Sequence, residues 1–268
     1  MFRNRAMSNL IILGIIGMIM FYVGNSEFEP GKNSSQPKVE ILTDIEPDRV
    51  QVLELQRVGQ PRLKLNKLEG SWWLTQPVMV HADETPIQRL LEILELKSHS
   101  RYDVSEVNLE SAGLWPARTV IRFDEIQISL GGTDPLHGYR YVLYDEKVHL
   151  VDDHFFHIVT AQYPRFVNRL VVPETVVLEM IETPVVTLTR QGETWAAMPE
   201  MKENKLKQVL TAWREAFSRH VVPYQERKES FPVILTASNP KVSVQVDVYY
   251  DDATLVMGRK DIGIEYHL

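Results

Sequence analysis

Residues 70–97 read GSWWLTQPVMVHADETPIQRLLEILELK, and the fold turns on how this stretch is divided. Trp72 and Trp73 end a strand, Pro77 closes a bend, and Asp83 stands where a helix N-cap belongs, with Pro86 in the first turn, where its missing N–H costs nothing. Ile87, Leu90, Leu91 and Leu94 then recur at three and four residues, which predicts one buried helix face over 84–97. Alternation along a strand sends Trp72 and Trp73 to opposite faces, so one packs inward and the other is a candidate contact residue.

Working outward, a weaker copy of the stretch lies downstream. Gly70, Trp73 and Pro77 match Gly192, Trp195 and Pro199 at a constant offset of 122. A second amphipathic run over 202–219 carries Leu206, Val209, Leu210, Trp213 and Phe217 on one side. Before each aromatic strand end stand two alternating segments, VQVLELQR and RLKLNKL in the first case, TVVLEMI and VVTLTR in the second. These read as hairpins. Further short alternating segments follow each helix, and Leu130-Gly131 and Tyr139 are matched by Met257-Gly258 and Tyr266 at an offset of 127. The expected fold class is α+β. An N-terminal single transmembrane helix precedes two tandem α+β repeats, each an antiparallel sheet with one main amphipathic helix. Residues 1–24 form the cytoplasmic start and signal anchor, 25–48 a tether, 49–172 the first repeat and 173–268 the second.

The location follows from the first residues. LIILGIIGMIMFYV, residues 10–23, is apolar or small throughout, and Ala6 to Gly24 gives about 28 Å of helix, close to the thickness of a bilayer core. Arg3 and Arg5 precede it and Glu27 and Glu29 follow, which places the N-terminus in the cytoplasm and the body outside. A small-residue cleavage site is absent, so the segment is expected to stay as an anchor in the lipid bilayer. Leu10, Gly14, Gly17, Phe21 and Gly24 share one face of that helix. Gly14 and Gly17 are candidate contacts with an integral membrane partner, because helices in lipid pack over small residues.

Composition narrows the chemistry. The formal net charge is −7 and no basic block runs through the body, which argues against a nucleic-acid partner. There are no cysteines, so disulfides, thiolate metal sites, a cysteine nucleophile and a lipidated cysteine are excluded. His149, Asp152, Asp153, His154 and His157 form the densest cluster of metal-ligating types, but they lack the HExxH spacing and read as a capping aspartate pair followed by helix-surface histidines. Asp124-Glu125, Asp145-Glu146 and Asp251-Asp252 lie between strand patterns and read as turns. Gly131-Gly132 lacks the context of a phosphate loop and reads as a hairpin loop. Ser98, His99 and Ser100 have no nucleophile elbow around them and read as a helix C-terminus. No catalytic residue, cofactor site or metal site is expected.

Trp72 with Leu74, Thr75 and Pro77, Ala82-Asp83, Leu90-Leu91, Gly113-Leu114 with Pro116, Leu130-Gly131, Tyr139 with Tyr141-Val142, and Leu150-Val151-Asp152 stand in an order that resembles the bacterial family catalogued as domain of unknown function 4340, over residues 50 to 170. Members of that family are typically membrane-anchored envelope proteins, some encoded beside gliding-type ABC transporter components. The resemblance implies a non-enzymatic extracytoplasmic accessory or scaffold subunit of a membrane assembly in the bacterial inner membrane. The other expectation is an envelope binding module that holds a small ligand between the two repeats.

Overall fold

The computed structural model describes residues 40–268, residues 228 and 240 excepted. Its strands are β1 (Glu40–Ile41), β2 (Val52–Arg57), β3 (Leu63–Leu68), β4 (Ser71–Gln76), β5 (Val80–His81), β6 (Lys97–Asp103), β7 (Thr119–Phe123), β8 (Ile126–Thr133), β9 (Arg140–Tyr144), β10 (Lys147–Val151), β11 (Val177–Glu182), β12 (Thr187–Gln191), β13 (Thr194–Met198), β14 (His220–Pro223), β15 (Phe231–Asn239), β16 (Lys241–Asp251), β17 (Thr254–Arg259) and β18 (Ile264–His267). The α-helices are α1 (Glu84–Leu91), α2 (Phe156–Val159) and α3 (Glu203–Arg214).

These strands make two antiparallel sheets. The first, of ten strands, runs β1-β6-β10-β9-β8-β7-β2-β3-β4-β5, and the second, of eight, runs β13-β12-β11-β15-β16-β17-β18-β14. Alternation explains the inward faces: Leu53 and Leu55 of β2 and Leu63 and Leu65 of β3 are fully buried, while Glu54 and Lys64 between them pair across the outer face at 2.8 Å. Read from β6 to β4, the first sheet has the same strand order as the second read from β14 to β13.

The α+β expectation is corrected. The described residues are mostly antiparallel sheet, 47% strand against 18% helix. The reason lies in the opening stretch. The run expected to be helical to residue 97 stops at Leu91, tightens into a 3-10 turn over Glu92–Glu95 that buries Ile93 and Leu94, and enters β6 at Lys97. Ser98, His99 and Ser100 therefore lie on a strand and not at a helix end. Among the described residues no helix is long and apolar enough to cross a membrane. The expected transmembrane span, with Gly14 and Gly17, lies outside the described residues.

The numerical offsets fare differently. In the first hairpin Leu68 pairs with Ser71, and in the second Gln191 pairs with Thr194, so Trp195 takes the register position of Trp72 and not that of Trp73. A bulge in β4, between the Lys64 and Leu65 pairings, absorbs one residue, after which Gln76-Pro77 and Met198-Pro199 end the two strands alike, both as cis peptides. The offset of 127 does not survive. Gly131 lies on β8 and Gly258 on β17, whose places in the two sheets differ.

Glu40–Leu268 is one compact unit, and its principal core runs through both sheets, from Leu53 and Leu74 to Leu235 and Ile264. The segment between the sheets bonds to both halves. Asp83 N–H donates to the Phe166 carbonyl at 2.8 Å and Asn168 N–H to that of His81 at 2.9 Å, while Val171 N–H donates to Ala216 O at 3.0 Å and Ser218 N–H to Arg169 O at 2.9 Å. The Tyr163 hydroxyl adds a bond to Gly263 O at 2.8 Å.

Candidate functional site

The two main helices follow counterpart strands but sit differently. In the first half the chain runs from Pro77 through β5 to Asp83, whose carboxylate accepts the Thr85 N–H at 2.9 Å and starts α1. Pro86, Ile87, Leu90 and Leu91 of α1 are then buried. In the second half the chain passes from Pro199 to Lys202 and directly into α3. That connection has no counterpart of β5, and Lys202 offers no side-chain cap. No residue of α3 is fully buried. Leu206, Val209, Leu210 and Trp213 are half-buried.

A groove of about 950 Å³ lies under α3 as a result. Val172, Val176, Leu178, Ile181, Trp195 and Leu210 line it, together with the charged side chains of Arg190, Lys207, Arg214, Glu174, Glu193 and Glu215. This volume is in the range of ligand and peptide clefts, and its lining has the mix of apolar and polar side chains of a docking surface. Beside it, β13 is the last strand of its sheet. Among the described residues its backbone pairs with β12 alone.

A smaller cavity, of about 350 Å³, lies where the halves meet, lined among others by Trp72, His81, Asp83, Arg169, Thr175 and Phe217. Four of its polar groups are paired with one another. Arg169 Nε is 3.4 Å from Asp83 Oδ2 and its guanidinium lies 4.5 Å over the Phe217 ring, while His81 Nε2 and Thr175 Oγ1 are 3.0 Å apart. Burial pushes the His81 pKa down, so the ring is held neutral. A hydroxyl beside an imidazole is the start of a nucleophilic pair, but no carboxylate among the described residues orients this histidine. The contact therefore reads as a latch between the halves.

The residues expected from sequence are distributed as follows. Trp72 is 3% exposed and belongs to the core, with the Lys67 ammonium 6.0 Å from its ring. Trp73 faces the other way and is half-buried, its ring 3.7 Å from that of His81. The histidine and aspartate cluster is dispersed. His149 Nδ1 meets Ser98 Oγ at 3.0 Å, Asp152 meets His99 at 3.1 Å, and Asp153 holds Arg140 at 2.5 and 2.8 Å. The expectation that Asp152-Asp153 caps a helix is corrected: α2 begins after Phe155 and has no side-chain cap. Gly131 is not in a loop but on β8, where the segment 112–114 crosses it. A Cβ there would stand 2.3 Å from the Ala112 carbonyl oxygen.

Arg190, Lys207 and the uncovered edge of β13 were missed. Their signal was the short path from Pro199 to Lys202, set against Pro77 to Asp83. Comparison with protein-family models, curated proteins and solved structures gives no match to this chain, so the resemblance to domain of unknown function 4340 rests on the quoted residues alone.

Proposed function

We propose that this chain is a non-enzymatic accessory subunit, tethered at the bacterial inner membrane by its apolar N-terminal stretch with its body outside the cytoplasm, that binds an integral membrane partner through its second half. One observation carries the reading: two sheets of the same strand order bear two helices, and only α1 buries its apolar face fully, while that of α3 stays half-open. The seat left open is lined by apolar side chains and by both signs of charge, which suits a protein partner better than a single anion. In the smaller junction cavity His81 is paired with Thr175 and Arg169 with Asp83, which takes four of its polar groups. A small ligand held between the halves is therefore the weaker reading.

Extraction of membranes in mild detergent, followed by quantification of co-purifying integral membrane proteins, tests the proposal. A Leu210→Trp chain, which fills the groove from α3, should keep its fold by circular dichroism and lose most of the partner recovered with the unaltered chain. Equal recovery from both chains, or no integral membrane partner from either, contradicts the reading.

A further inference from the structure

The first sheet contains its own instruction for what belongs on the second. On β4 the outer edge is occupied by β5, with Trp73 paired to His81 and Leu74 to Val80, and the Ala82 N–H donates to the Trp72 carbonyl at 3.0 Å. Val80 packs its side chain against the core below. Among the described residues the corresponding edge of β13 lacks that strand, and the path from Pro199 to Lys202 is too short to turn back along it. In a two-residue hairpin the pair beside the turn exchanges its hydrogen bonds, so with Gln191 opposite Thr194 the outward N–H and C=O groups of β13 are those of Trp195 and Ala197. Trp195 is thus the position whose carbonyl is satisfied by an added strand in the first sheet.

The edge also lacks the usual protection. Thr194 to Met198 contains no charge and no proline, whereas exposed edges are normally blunted by lysine, proline or a bulge. Met198 is 79% exposed. Glu193 and Glu200 flank the strand and are both exposed. Two copies of this chain pairing edge to edge over β13 would bring the glutamates of one copy close to those of the other, with no basic residue within the strand to offset them.

We infer, on the reading that this chain is an accessory subunit, that β13 receives an extended segment of the partner protein as an added strand, in the place β5 holds in the first sheet. The segment presents an apolar side chain to the groove between Trp195 and Leu210, and Lys or Arg at its ends to Glu193 and Glu200. Main-chain pairing supplies the attraction and the groove supplies the selectivity.

Selection of displayed random nine-residue peptides on the full chain in detergent micelles tests this. Enriched peptides should alternate apolar residues between basic ends and bind at least tenfold more weakly to Ala197→Pro, which removes an outward N–H while leaving the pairing to β12 intact. Should that chain misfold, N-methylation of the selected peptide at alternate residues reads the same contact on the unaltered protein, and one alternate set should abolish binding. Failure to enrich any such peptide, undiminished binding to a folded Ala197→Pro chain, or full binding by both methylated sets overturns the inference. A dimer of the chain that Ala197→Pro dissolves also overturns it. A membrane partner that still co-purifies with Ala197→Pro removes strand addition and leaves the accessory reading in place, whereas the absence of any partner from the unaltered chain removes the accessory reading itself.

Discussion

Gly131 shows how a single residue carries the crossing of chain over sheet. Its Cβ position is filled by the Ala112 carbonyl and the Leu114 side chain, and backbone cannot yield as a flexible side chain would. Gly131→Ala should lower stability by about 1–3 kcal/mol, measured as a fall in the denaturant midpoint at unchanged slope. His149 carries a second residue-scale prediction. It is 4% exposed, and burial, then Arg101, push its pKa down, against the opposing pull of Glu40 and Asp145. His81 is also pushed down, by burial. Each ring binds protons more weakly folded than unfolded. The stability that depends on the neutral rings is present above the ordinary histidine value of about 6.5 and is lost as pH falls below it. The denaturant midpoint should drop between about pH 7.5 and pH 5.5, and the drop should shrink in a His81→Gln, His149→Gln chain. The carboxylate of Glu54, held low by Lys64, titrates below this window and does not confuse it.

At the scale of elements, legibility followed periodicity. The hairpin of β2 with β3 was visible because one face of it is buried and the other wet, and that of β11 with β12 because its apolar and polar residues alternate in the same way, although only Ile181 and Leu188 there are fully buried. Strand β6 was invisible. Its sequence, KSHSRYD, is polar on both faces, and it is a strand because β10 and β1 pair with it on either side. The length of α1 was overread, since Ile93 and Leu94 continue the apolar pattern while the backbone tightens to place both in the core. The open seat under α3 was legible only by comparing two connections, and a constant offset between their prolines concealed the shorter path after the second. The missing cap is itself testable. Lys202→Asp, which gives α3 the residue type that starts α1, should stabilise the chain by about 0.5–1 kcal/mol in thermal or denaturant unfolding, with no gain if α3 is already frayed at that end.

At the scale of the molecule, the boundary expected from sequence at residues 172 and 173 follows directly on a segment that bonds to both halves. Phe166 to Val171 is held on one side by His81 and Asp83 and on the other by Ala216 and Ser218, and Tyr163 reaches Gly263. One core fills both halves. The chain should therefore unfold in a single cooperative transition, and a chain ending at Val172 should lack a cooperative transition of its own. Two separable transitions in calorimetry would contradict this. The consequence for function is that the well-packed first half braces the second, so that the groove and the bare edge of β13 persist without a tight helix to close them. The most direct measurement is amide hydrogen exchange at Trp195 and Ala197 in the full chain, compared between native membranes and detergent-purified protein. The account predicts slow exchange at these two amides in the membrane and fast exchange once the partner is removed. Exchange that is equally fast in both would contradict it.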